Sequence, residues 1–156
     1  MGMSELLEQE QTVAQQFEQI AAQLDEVESA IVEKLDPVDC PVKHHFTPKL
    51  YCREIHIPAG TLLTSKIHKT EHPYIISQGA ITVWTQEQGV VTLQAPHHGI
   101  TKPGTKRLLY ANTDTVWTTM HVSDKTNVDE IEKDIIFQRV NPLLKPMNTQ
   151  IEKGDS

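Results

Sequence analysis

Over the first 35 residues, Met3, Leu6, Val13, Phe17, Ile20, Leu24, Val27 and Ile31 recur at alternating spacings of three and four, and Glu10 alone interrupts the series. The period is nearer 3.5 than 3.6, persists for about four heptads and marks a narrow strip, which predicts a heptad-repeat helix. Gln, Glu and Ala fill the positions between, and Asp36-Pro37 stops the run, so residues 1–36 form one helical unit. Ser4 is the expected cap, without a capping box because Leu7 follows three residues later. Such a strip leaves an isolated helix marginal in water, so a coiled coil with Leu6, Val13, Phe17, Ile20, Leu24, Val27 and Ile31 at its seam is expected. The alternative is a helix that buries the stripe on its own domain. Val13, Ile20, Val27 and Leu24 lean toward a dimer, while Phe17 and Ile31 lean toward a trimer.

After Pro37 the period becomes two. Residues 37–50, with Pro41, His44-His45 and Pro48, read as a linker or an arm lying on the next domain. Alternating runs follow at 51–57, 61–67, 73–78, 80–85, 90–94, 106–111 and 115–122, separated by turns such as Pro58-Ala59-Gly60, Gln78-Gly79, Gln88-Gly89 and Lys102-Pro103-Gly104. The expected class is mainly β, with a double-sheet barrel of the jelly-roll type over 51–124. Thr126 to Asp129 reads as a capping box opening a short helix within 125–140, with Val128, Ile131 and Ile135 on one face. That helix should close one end of the barrel. Residues 141–156, with Pro142 and Pro146, read as an extended tail. Trp84 and Trp117 are expected in the core.

A length of 156 residues suits one domain plus an appendage. The net charge of −7 argues against nucleic acid and anionic membrane as partners, and Lys102, Lys106 and Arg107 are too few to reverse that. No apolar run is long enough to span a bilayer, and the N-terminus lacks the segments of a secretion signal. Cys40 and Cys52 are therefore expected to be free thiols in a reducing cytoplasm.

Candidate chemistry concentrates between Gly60 and Gly79. Alternation gives Lys66, His68 and His72 the same parity, so a strand would carry them on one face. Two imidazoles suit a divalent transition metal but are fewer than the three protein ligands of a typical catalytic zinc site. His121, which shares parity with Trp117 and Thr119, is the first candidate for the third ligand, and His56 the second. Three readings stay open: hydrogen-bonded barrel histidines, a metal site at His68, His72 and His121, or an anion or sugar pocket that includes the ligand-binding pair Lys66 and Arg107. His44-His45 and His97-His98 are adjacent pairs that point opposite ways in a strand, and they read as loop or surface residues.

The same stretch resembles the first motif of the cupin superfamily, a glycine, five residues, His-x-His, three or four residues, Glu, six residues and glycine. Lys66, His68 and His72 stand at its three ligand positions. Lys102-Pro103-Gly104 through Asn112 resembles the second motif, with Arg107 where the fourth ligand, a histidine, is usual and Asn112 one residue late. The resemblance implies a cupin barrel more than the usual cupin metal set. Phrases such as Tyr51-Cys-Arg-Glu-Ile-His-Ile-Pro-Ala-Gly60, Ile75-Ile-Ser-Gln-Gly79 and Asp114-Thr-Val-Trp-Thr-Thr-Met-His121 further resemble small cupin-like proteins encoded by tailed bacteriophages and prophages. That resemblance implies a noncatalytic accessory virion component of fibre, collar or tail-attachment type, associating with itself and with other virion proteins in the virion and host cytoplasm. The competing class is a small metal-dependent enzyme, or a binder of a small anionic or sugar ligand, in the infected cell.

Overall fold

A computed structural model describes residues 2–138 and 141–143, together with the backbone but not the side chains of 9–14, 16–18 and 20. The expected seam residues Val13, Phe17 and Ile20 have side chains outside the described set, as does most of the expected tail. Among the described residues the chain is mainly β, in two antiparallel sheets flanked by two helices. The order is α1 (Met3–Lys34), β1 (Val42–Thr47), β2 (Leu50–Ile57), β3 (Leu62–Thr64), β4 (His72–Gln78), β5 (Ala80–Thr85), β6 (Gly89–Gln94), β7 (His97–Thr101), β8 (Leu108–Ala111), β9 (Thr115–Val122) and α2 (Val128–Ile135). One sheet has the order β1-β2-β9-β4-β7, the other β3-β8-β5-β6. No described helix is long and apolar enough to cross a membrane.

The arm expected at 37–50 contains an edge strand: β1 pairs with β2 from Val42↔Ile55 to Thr47↔Leu50. Strand β7, read as a loop, pairs with β4 from His72↔Thr101 to Ile76↔His97. Both escaped the reading because His, Lys, Thr and Gly dilute the apolar alternation of an edge strand. The run at 61–67 shortens to three residues, since the chain leaves the sheet after Thr64.

Alternation within the strands sets the interior. Ile55, Ile57, Leu63, Tyr74, Ile76, Ile81, Val83, Leu109, Ala111 and Trp117 form one buried cluster, each large aliphatic side chain contributing about 1.5–3 kcal/mol. A second cluster, Tyr51, Ile131, Ile135 and Ile136, seats α2. Trp117 is in the core as expected, but Trp84 is only half-buried, because Ile81, Val83 and Thr85 hold the inward parity of β5. Gly79 is required by geometry: φ is +89°, and an added Cβ would lie 2.2 Å from the Asp114 carbonyl oxygen.

Both caps differ from the expected ones. Helix α1 starts with Gly2 at the N-cap rather than Ser4, the Gly2 amide donating to Glu5 Oε2 at 3.4 Å. Helix α2 is capped one residue later than expected, by Asn127 Oδ1 accepting from the Glu130 amide at 3.1 Å. The C-terminal half of α1 lies against its own barrel. Glu28 accepts from Lys106 Nζ at 3.3 Å and from the Thr64 hydroxyl, while Asn141 Nδ2 donates to Glu28 Oε1 and to the Asp25 carbonyl. Leu24 is 2% exposed in the single chain, so its burial needs no second copy, whereas Met3 (79%), Leu6 (48%) and Leu7 (53%) stand in solvent.

Candidate metal centre

The inner face of the five-stranded sheet changes character along its strands. On β9, Thr115 and Trp117 lie toward the main core, whereas Thr119 and His121 lie toward the end covered by α2. The same drift along β4 runs from Ile76 through Tyr74 to His72. Between the two apolar clusters lies a polar layer, and in it His68, His72 and His121 converge.

Their ligand nitrogens all lie within 4.8 Å of one another, and their ring centroids are 4.4 to 5.2 Å apart. His72 opens β4 opposite Thr101, and His121 lies near the end of β9 opposite Tyr51. His68 belongs to the irregular stretch after β3, which the main chain fixes on both sides. It forms a bridge with Ile136, the Lys69 amide donates to the Ile135 carbonyl at 2.7 Å, the Phe137 amide donates to the Ile67 carbonyl at 2.9 Å, and the Gly104 amide donates to the His68 carbonyl at 2.9 Å. The end of the second helix and the residues that follow it thus clamp one histidine against the other two.

Each of His72 and His121 uses one ring nitrogen in a local hydrogen bond. His72 Nδ1–H donates to the Thr70 carbonyl at 3.0 Å, which leaves Nε2 as the unprotonated nitrogen. His121 Nε2 shares a hydrogen bond of 2.9 Å with Thr119 Oγ1, while its Nδ1 is buried without a partner. A buried ring nitrogen left in that state is a cost that a ligand removes. Burial and the neighbouring imidazoles push His68 down to about 3, and burial with the nearby His72 and Arg53 does the same for His121. Burial also lowers His72, against the hydrogen bond to Thr70. All three rings are therefore neutral at pH 7, the form that binds metal.

The donor set fits a transition metal. Three nitrogens around a tetrahedral zinc ion stand about 3.3 Å apart, so the rings need a contraction within the reach of imidazole torsions. Lys66 and Arg107 line the adjoining cavity of about 70 Å³, together with Arg53, Thr101, Thr119 and Trp117. His56 does not join them. Its parity on β2 turns it to the outer face, where Nε2 lies 2.5 Å from Glu54 Oε2.

Several neighbours escaped the sequence reading. Tyr51 stacks on His121 at 6.0 Å, and His44, exposed as expected, approaches the Tyr51 hydroxyl at 2.6 Å through Nδ1. Arg53 shares inward parity with Tyr51 and Ile55, a signal already present in the 51–57 alternation. The clamp from Ile135 to Phe137 carries no signal, because it acts through backbone groups.

No family model matches this sequence, and no curated protein sequence matches it. Solved structures similar to it include a Klebsiella pneumoniae protein with a double-stranded β-helix domain (14% identity, 62% of this chain and 84% of that chain, TM-score 0.48). An RmlC-like cupin from Methanocaldococcus jannaschii shares 14% identity over 58% of this chain and 86% of its own, with a TM-score of 0.47. An acetylacetone dioxygenase from Acinetobacter johnsonii shares 14% over 53% and 59%, with a TM-score of 0.43.

Proposed function

We propose that this protein is a metal-dependent cupin that binds and activates a small ligand inside its barrel. His68, His72 and His121 would hold one divalent transition metal. The observation that carries this reading is the convergence of three neutral imidazoles, one with an unpartnered buried nitrogen, beside a cavity. When bound, such an ion supplies Lewis acidity toward a ligand oxygen. The chain's own residues do the rest. Thr70 and Thr119 fix ring orientation, Ile131, Ile135 and Ile136 exclude water from one end, and Trp117 and Leu109 give the cavity apolar walls.

The test is metal content and affinity. Protein purified without tag or chelator and titrated with Zn²⁺, Ni²⁺, Mn²⁺ or Fe²⁺ should bind one ion per chain. His72→Ala and His121→Ala should each weaken binding at least about tenfold while the far-ultraviolet circular dichroism is retained. Absence of stoichiometric binding by all four ions would overturn the reading.

A second reading is supported by the exposed apolar residues Met3, Leu6 and Leu7 at the start of α1: the helix joins chains into a dimer or trimer. An accessory virion role would follow from such an assembly, and it rests on the sequence resemblance to phage-encoded cupins. Both readings are compatible in one molecule, because the histidines and the exposed helix start are far apart in the sequence and on different elements.

A further inference from the structure

The cavity beside the histidines has a one-sided electrostatic lining. Arg53, Lys66 and Arg107 face it, and no carboxylate does among the described residues. Three neutral imidazoles bring no negative charge either, so a divalent ion there would add to the positive field of Lys66 and Arg107. Arg107 is held for recognition. Its guanidinium carbon lies 5.2 Å from the centroid of the Tyr74 ring and 5.7 Å from that of Trp117, which stack on each other at 4.6 Å. Resting a face on these rings leaves the in-plane N–H donors available at the edge. No described carboxylate pairs with it. The main chain fixes its position, with the Arg107 amide donating to Ser65 Oγ at 2.8 Å and its carbonyl accepting from the Ser65 amide at 2.9 Å.

We propose that the cavity takes a short organic carboxylate, its carboxyl group held by Arg107 and Lys66 and its other end directed at the three histidines. The class follows from the walls: Ile55, Leu63, Leu109 and Trp117 favour a carbon chain over an ion that is polar all round, such as phosphate. The size follows from the volume. About 70 Å³ is far less than a sugar or nucleotide occupies and confines the ligand to a small acid on the scale of propionate or pyruvate. Arg107 also lines a second cavity with His97, His98 and Gln88. The proposal rests on the metal-centre reading for its orientation, but the carboxylate anchor belongs to the chain itself.

The test is calorimetric titration of metal-free protein, then of zinc-loaded protein, with acetate, propionate, pyruvate, citrate, phosphate and sulfate. Propionate or pyruvate should bind the metal-free form and outcompete phosphate, sulfate and citrate. Arg107→Gln should weaken that binding at least tenfold without changing zinc affinity, and Arg107→Lys, which keeps the charge but loses the planar fork, should fall between. Carboxylate binding that survives Arg107→Gln, phosphate or sulfate binding more tightly than the acids, or no acid binding in either form would each overturn the proposal. Acid binding that depends on Arg107 without any metal uptake would uphold the anchor and sink the metal centre. Should Arg107→Gln not fold, Arg107→Lys decides: unchanged affinity overturns the proposal.

Discussion

Acidifying the metal-free protein should unfold it far sooner than its carboxylates require. His68 and His121 stand at about 3 in the folded chain and return to the ordinary 6.5 when it unfolds. Below pH 6.5 the unfolded chain therefore takes up two protons that the folded chain refuses, and folding stability falls with pH until about 3. Two groups give a slope of about 2.7 kcal/mol per pH unit, or about 5 kcal/mol between pH 6.5 and 4.5. That rivals the whole stability of a typical domain. His72, lowered in the same direction, adds to the loss. Glu54, held below its ordinary 4.5 first by the hydrogen bond from His56, contributes mainly below that window. The assay is urea unfolding at half-unit steps from pH 7.5 to 4.5 in chelator-treated protein. His121→Phe should remove about 1.4 kcal/mol per pH unit from the slope, because one titrating group is gone. A free energy of unfolding that is flat from pH 7 to 5, or a His68 ring resonance titrating near 6.5, would refute the reasoning.

Two further expectations concern the frame around the site. Gly79→Ala should cost at least about 1–3 kcal/mol by thermal or urea unfolding, because the left-handed backbone and the Asp114 carbonyl both oppose a Cβ; an unchanged midpoint would mean that the turn adapts. The two halves of α1 should also separate in their response. Leu24→Ala should destabilise by about 2–5 kcal/mol, whereas Leu6→Asp should leave the fold intact and lower the mass seen by light scattering, and a Leu6→Asp protein of unchanged mass would count against self-association through this end.

How much of this was readable beforehand depended on whether side chains or backbone carried the signal. Thr115, Trp117, Thr119 and His121 share one parity, so the inward face of β9, with His121 on it, was legible. The Gly60 to Gly79 spacing located His68 and His72, although Lys66, His68 and His72 do not share a strand: β3 ends at Thr64 and β4 begins at His72. They line one cavity through a geometry other than shared strand parity. Strand β7 was hidden because Gly99 interrupts it, and the reason for that glycine is tertiary, since an added Cβ would lie 2.6 Å from the Tyr74 hydroxyl. Leu24 and Leu6 both lie on the heptad seam but differ in burial, because Glu28, four residues after Leu24, ties that part of the helix to Lys106 and Thr64. A local pattern cannot carry a partner 78 residues away.

The clamp that positions His68 also imposes an order in time. His68 and His72 come early in the barrel and His121 at its last strand, yet the backbone partners of the His68 segment include Ile135, Ile136 and Phe137 as well as Gly104. A chain synthesised from its N-terminus folds what has already emerged. The three imidazoles therefore acquire their fixed arrangement only when the last described elements have left the ribosome. Unfinished chains therefore carry His68, His72 and His121 without the backbone frame that gathers them.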